Sequence, residues 1–256
     1  MDLPSGELRG AEALVRWQHP DRGLLPPAQF LPAAEQAGTI FEIDVWMMRE
    51  ACREAAGWKK RLAARPFQVS INVSAESLQR AEIVDTVASV LSSSGVDPGV
   101  IVLEITESVL VRDIDSTIWQ LEALKRLGVG IAIDDFGTGY SSLEHLRRFP
   151  VDVLKIDKAF VDGVARGSEE ASFAAAIITL AEQLHLRTIA EGVETEEQAE
   201  TLASLGAHAA QGFVFSKAVP IDTMDEFVAR AARGDDWQTG HPLPPVIVEP
   251  PLLLPA

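Results

Sequence analysis

The residues best suited to chemistry are carboxylates at the ends of short apolar runs. Glu12 opens EALVRW, Glu104 lies in VLEITE, Asp134 and Asp135 close GIAIDD, and Glu191 follows TIA. Asn72, in VSINVS, adds an amide oxygen, and Lys155, in VLKID, adds a cation. Carboxylates gathered at one point repel each other and lose solvation, so they need cations or protons. Oxygen ligands without clustered His or Cys suit Mg²⁺ or Mn²⁺ rather than a zinc cage. The five acids Glu12, Glu104, Asp134, Asp135 and Glu191 could neutralise two divalent ions and leave one acid for proton transfer. Lys155 could then orient a water or a phosphate oxygen. Taken singly, any one of these acids reads as a helix cap or turn former. The caps that follow, however, fall on Ser141 with Glu144 and on Thr195 with Gln198. His19, His145, His185, His208 and His241 are scattered without ligand spacing and read as surface or packing residues.

Positioning these side chains requires the elements that carry them. β-branched or apolar runs at EALVRW (12–17), FQVSINVS (67–74), GVIVLEITES (99–108), VGIAIDDF, VDVLKID (151–157), LRTIAEGVE (186–194) and AAQGFVFS (209–216) each precede a stretch of helical periodicity. Several are continuously apolar, as strands of a parallel sheet buried on both faces are. Repeated βα units predict a (β/α) TIM-type barrel, with a doubly wound open sheet as the alternative. In such a barrel the active site lies at the C-terminal strand ends. Strand parity sends Val69, Ile71, Leu103, Ile105, Ile131, Ile133, Leu154 and Ile156 out toward the helices. The same parity sends Asn72, Glu104, Asp134, Lys155 and Asp157 inward, so separate strands aim polar groups at one mouth. TIAEGVE shows no clean face. Asp135 has the wrong parity and must turn inward as the chain leaves the strand, with Gly137 and Gly139 just beyond to permit the bend.

A length of 256 residues with 47% hydrophobic content supports one barrel, expected over 1–233. The proline-rich remainder, 234–256, is expected to be an extended or disordered tail. A net charge of −16 has the wrong sign for neutralising the phosphates of polymeric DNA or RNA. Cys52 is the only cysteine, so no internal disulfide forms and a cytoplasmic location is expected. No apolar run reaches membrane-spanning length.

The motifs EALVRW, INVS, LEITES, IDDFGTGYSSL, VDVLKID, IAEGVE and QGFVFSK, in this order, resemble the EAL-domain family of cyclic di-GMP phosphodiesterases over about residues 6–230. The resemblance implies a barrel whose mouth holds two Mg²⁺ or Mn²⁺ ions and opens cyclic di-GMP to linear pGpG. It implies Glu12, Asn72, Glu104 and Asp134 as ligands of one metal, with Asp134 shared by a second metal that Asp135 also contacts. It makes Glu191 and Lys155 the pair handling the attacking water and Arg16 a substrate-phosphate contact. Gln211 is implied as a polar substrate-side residue, and Glu107 and Glu194 as supports of the loop at 136–142. That loop is linked to metal binding and to a homodimer. In the family an antiparallel strand precedes the turn resembling MDLPSGEL, and its lack here predicts a gap beside the EALVRW strand. The prolines around VIV at 246–248 argue against the tail as the filler. The gap also supports an alternative reading, a receptor that binds cyclic di-GMP without cutting it.

Overall fold

The structure is a computed structural model that describes residues 1–63, 65–111, 113–137, 146–164, 169–234 and 246–248. In chain order the strands are β1 (Gly10–Val15), β2 (Trp17–His19), β3 (Gly23–Leu25), β4 (Gln68–Asn72), β5 (Ile101–Thr106) and β6 (Gly130–Phe136). They continue as β7 (Val153–Ile156), β8 (Arg187–Ala190), β9 (Ala209–Ala210), β10 (Val219–Pro220) and β11 (Val246–Val248). The helices are α1 (Leu31–Ala37), α2 (Ile40–Leu62), α3 (Ala75–Gln79), α4 (Ile83–Ser94) and α5 (Ile114–Arg126). They continue as α6 (Lys158–Val161), α7 (Glu169–Gln183), α8 (Glu196–Ser204) and α9 (Ile221–Arg233). Thr195 and Gln198 form the capping box read from the sequence at the start of α8. Ser141, Glu144, Gly139, His145 and His241 lie outside the described residues.

Strands follow the order β10-β11-β1-β4-β5-β6-β7-β8-β9 in one curled sheet, every neighbouring pair parallel. This is the α/β TIM-type architecture expected from the repeated βα units. Val69, Ile71, Leu103, Ile105, Ile131, Ile133, Leu154 and Ile156 are buried in the large core beneath the helices. A second cluster, Val102, Ala132 and Val153 with Ile189 against it, fills the inside of the curl. Each of these four lies two residues before a site residue, namely Glu104, Asp134, Lys155 or Glu191. Two residues along a strand return to the same face. The apolar cluster is therefore the floor, and the polar residues form the layer above it. Ile189 also gives β8 the inward face that its sequence left undefined.

The ends of the sheet differ from expectation. Val246–Val248 pairs parallel with β1 (Leu14↔Ile247, Val15↔Val248) and with β10 (Val219↔Val246). The tail thus supplies the strand beside β1, contrary to the reading of its prolines. Those prolines flank the three β-branched residues and leave the pairing positions with their N–H groups. On the opposite edge, Met1–Leu3 runs antiparallel along β9. The Met1 amino group donates to the Ala210 carbonyl at 2.8 Å and Leu3 N–H to the His208 carbonyl at 3.1 Å. A short antiparallel segment is therefore present, but against β9 and not beside β1, where the gap was expected. AAQGFVFS also reads differently, because β9 stops at Ala210 and residues 212–215 turn. Among the described residues no helix is long and apolar enough to cross a membrane.

Deleting residues 235–256 would strip β11 from β1 and β10. A net contribution of about 1 kcal/mol per lost hydrogen bond predicts a fall in Tm of about 5 °C by differential scanning calorimetry. An unchanged Tm would mean that the pairing contributes no stability.

Candidate active site

Lys155 is the centre of the polar layer. The four residues of β7 are all buried, and Lys155 is only 1% exposed. Its Nζ lies 2.5 Å from Glu191 Oε1, 2.7 Å from Glu104 Oε2, 3.1 Å from Asp134 Oδ1 and 3.6 Å from Glu12 Oε2. A buried ammonium survives only when paired in this way. Burial alone would lower its pKa, but the charges of Glu104, Glu12, Glu191 and Asp134 hold it well above the ordinary value.

One cation does not satisfy four carboxylates. Burial pushes the Glu104 carboxyl up to about 8; Lys155 opposes the shift, while Glu12 and Asp134 add to it. Burial likewise pushes Glu191 up to about 8 against Lys155, helped by Asp134 and Glu12. Glu12 behaves differently. Its burial would raise the pKa, but Lys155 and two amide donors bring it below the ordinary value. Asn72 Nδ2 donates to Glu12 Oε1 at 2.8 Å, and Gln211 Nε2 donates to Glu12 Oε2 at 2.9 Å. The same Gln211 nitrogen reaches Glu191 Oε1 at 2.9 Å, so it ties the acid of β1 to the acid after β8.

Asp134 and Asp135 are brought together by a register shift. From Ile133 to Phe136 on β6 the partners on β7 advance only from Leu154 to Ile156. The extra residue is a bulge, which lets Asp134 and Asp135 share the place opposite Lys155. Asp135 has φ 53°, in the left-handed region that Asp tolerates better than most residues. The bend is thus in the strand at Asp135 itself, not beyond it as parity suggested. Ligand atoms of Asp134, Asp135 and Glu191 lie within 4.8 Å of one another. Burial and the charges of Asp134 and Asp157 raise the Asp135 pKa.

The remaining predicted residues lie around this layer. Arg16 is half-buried and donates to the Val15 carbonyl at 2.8 Å; among the described residues no ion pair is found for it. It lines a cleft of about 470 Å³ together with Glu12, Gln211 and Glu194. Glu107 accepts from Gly137 N–H at 2.9 Å and so holds the first residue after β6. Glu194 instead bonds Lys158 Nζ at 2.7 Å. The loop it is expected to support, 136–142, lies outside the described residues from 138 onward. Asp157 was not singled out by any motif. It caps α6 by accepting from Ala159 N–H at 2.8 Å and also hydrogen-bonds Asp135. Its inward parity was the available signal. His208 and His19 bond to neighbouring residues away from this layer.

The class defined here is a parallel α/β barrel whose mouth carries an excess of buried carboxylates around one lysine. The donor set fits divalent cations, because it is made of oxygen ligands and holds more acid than its own ammonium can balance. The EAL domain profile matches residues 1–218. The chain belongs to the EAL domain family. It is 43% identical over 226 residues to the bifunctional diguanylate cyclase/cyclic di-GMP phosphodiesterase MucR of Pseudomonas aeruginosa, covering 88% of this chain and 33% of that protein. It is 43% identical over 233 residues to the cyclic di-GMP phosphodiesterase NbdA of the same organism, covering 91% of this chain and 30% of that protein. The chain thus spans about a third of the length of these relatives. The solved PaMucR phosphodiesterase in complex with c-di-GMP superposes with a TM-score of 0.79 at 45% identity, covering 83% of this chain and 86% of that one.

Glu104 and Glu191 hold protons in the fold, at pKa values of about 8, that the unfolded chain releases near the ordinary value of 4.5. Without metal, their stabilising contribution is full below about pH 4.5 and is lost as pH rises toward 8. Thermal melts from pH 5.5 to 8.5 should therefore show Tm falling with pH in chelator. Added Mn²⁺ should raise Tm more at pH 8.5 than at pH 5.5. A metal effect independent of pH would contradict this.

Proposed function

We propose that the barrel hydrolyses cyclic di-GMP to linear pGpG, lowering the level of a bacterial second messenger. The observation that carries the reading is the convergence of Glu12, Asn72, Glu104, Asp134, Asp135, Lys155 and Glu191 at one mouth, in a chain of the EAL domain family. The names of the relatives MucR and NbdA support it. In this proposal Glu12, Asn72, Glu104, Asp134 and Asp135 would hold two Mg²⁺ or Mn²⁺ ions. When bound, these ions supply charge stabilisation for the pentacoordinate phosphorus and make water acidic enough to attack.

The chain's own residues do the rest. Arg16, at the rim of the cleft, takes a non-bridging phosphate oxygen. Glu191 accepts the proton of the attacking water, and Lys155 orients that water and Glu191 together. Gln211 fixes Glu191 relative to Glu12 through its shared amide nitrogen. The water oxygen bonds to phosphorus, the P–O3′ bond breaks, and the 3′ oxygen takes a proton from solvent, to which Glu191 returns the one it accepted. The product then carries a 5′-phosphate and a free 3′-hydroxyl, as pGpG does. The proposal includes the homodimer implied by the resemblance and a cytoplasmic location, where the buried thiol of Cys52 stays reduced.

The test is turnover of cyclic di-GMP with Mn²⁺ or Mg²⁺, with pGpG resolved by chromatography. Glu191→Gln should lower kcat by about 10²- to 10⁴-fold, the usual worth of a general base. Tight binding without turnover by the wild-type chain would replace this reading with the receptor reading.

A further inference from the structure

Among the described residues most aromatic rings are buried or half-buried, and the exceptions are informative. The large hydrophobic residues left exposed among those described are Leu24, Trp119, Phe173 and Phe213. Of these, only Phe213, at 60% exposure, lines the cleft that also contains Glu12, Arg16 and Gln211. Its neighbours behave oppositely, since Phe215 is 8% exposed and Val214 packs against the core. An open ring beside an acidic, polar mouth gains nothing from water.

Its position is fixed by the backbone. Gly212 has φ 154°, and a Cβ there would lie 2.2 Å from the Val193 backbone, so only glycine permits this approach. Val193 N–H donates to the Gln211 carbonyl at 3.1 Å, and Val214 N–H donates to the Val193 carbonyl at 3.0 Å. Phe215 and Ser216 N–H groups both donate to the Gly212 carbonyl at 3.0 Å. The turn that carries Gln211 into the acid cluster therefore also holds Phe213 at a set distance from it. Lys217 Nζ stands 5.7 Å from the Phe213 ring centroid and adds positive charge to the same wall.

We propose that Phe213 is a stacking platform for one purine base of the cyclic dinucleotide, held against it while Arg16 engages the phosphate side of the cleft. The inference rests on the phosphodiesterase reading and adds a residue that binds the substrate without joining the chemistry. Every base presents a π-face, and stacking on an aromatic side chain is a common way to bind an unpaired base. The Lys217 ammonium beside the ring complements a ligand that is both aromatic and anionic.

Steady-state hydrolysis of cyclic di-GMP by Phe213 variants tests the inference. Phe213→Ala should raise KM about tenfold, in keeping with the loss of one base–aromatic stack, and leave kcat within about twofold. Phe213→Trp should keep KM near the wild-type value, and Phe213→Leu, which has bulk but no π-face, should behave like the alanine variant. The ring is exposed, so all three should melt like the wild type. Wild-type turnover with an unchanged KM in Phe213→Ala, or with Phe213→Leu equal to wild type, overturns the stacking role alone. Absence of both turnover and binding in the wild type overturns the phosphodiesterase reading and this inference with it.

Discussion

Lys155 is 1% exposed and faces Glu191, Glu104, Asp134 and Glu12 within 3.6 Å. Each of those acids comes from a different strand or strand end, so the ammonium fixes the relative heights of β1, β5, β6, β7 and the end of β8. The same contact leaves the mouth short of positive charge, because one cation meets four acids. Glu104 and Glu191 answer by taking up protons, with pKa values of about 8. A divalent cation answers the same deficit without protons. The lysine thus keeps the metal-free fold intact and leaves the charge imbalance that makes the mouth a cation site.

The apolar floor explains why this crowding is tolerated. Val102, Ala132, Val153 and Ile189 fill the inside of the curl directly beneath the polar layer. Packing there holds the strands together beneath the ammonium, so repulsion among the acids raises pKa values and does not spread the strands. Gln211 performs a similar service at the far edge, where its amide joins Glu12 to Glu191. That amide is in turn held by the turn clamped on Val193. At the two ends of the site the backbone takes positive φ, 53° at Asp135 and 154° at Gly212.

Much of this was legible in the sequence because parity is a strong constraint. Continuous apolar runs with one polar residue at fixed phase assigned Asn72, Glu104, Asp134 and Lys155 to the mouth. Two departures were not legible for definite reasons. The β6 bulge depends on how β6 registers with β7, a long-range property that no local pattern in GIAIDDF encodes. The turn at 212–215 hides in AAQGFVFS because its hydrogen bonds go to Val193 and Gly212 rather than to a neighbouring strand, while Val214 and Phe215 still pack on the core. The role of VIV in the tail was obscured by its flanking prolines, since the partner edge on β1 lies more than two hundred residues away. The motif resemblance supplied what parity could not, above all the division of acids between metal ligation and proton transfer.

The central claim is that the carboxylates around Lys155 form a two-cation site divided at the β6 bulge. Equilibrium titration with Mn²⁺ at pH 8, followed by loss of the free-ion electron paramagnetic resonance signal, tests it directly. Asp135→Asn removes one charge while keeping a residue that accepts the left-handed backbone at that position. The wild type should bind two Mn²⁺ per chain and Asp135→Asn one. No binding by the wild type, or equal loss of both ions in the variant, would contradict the account.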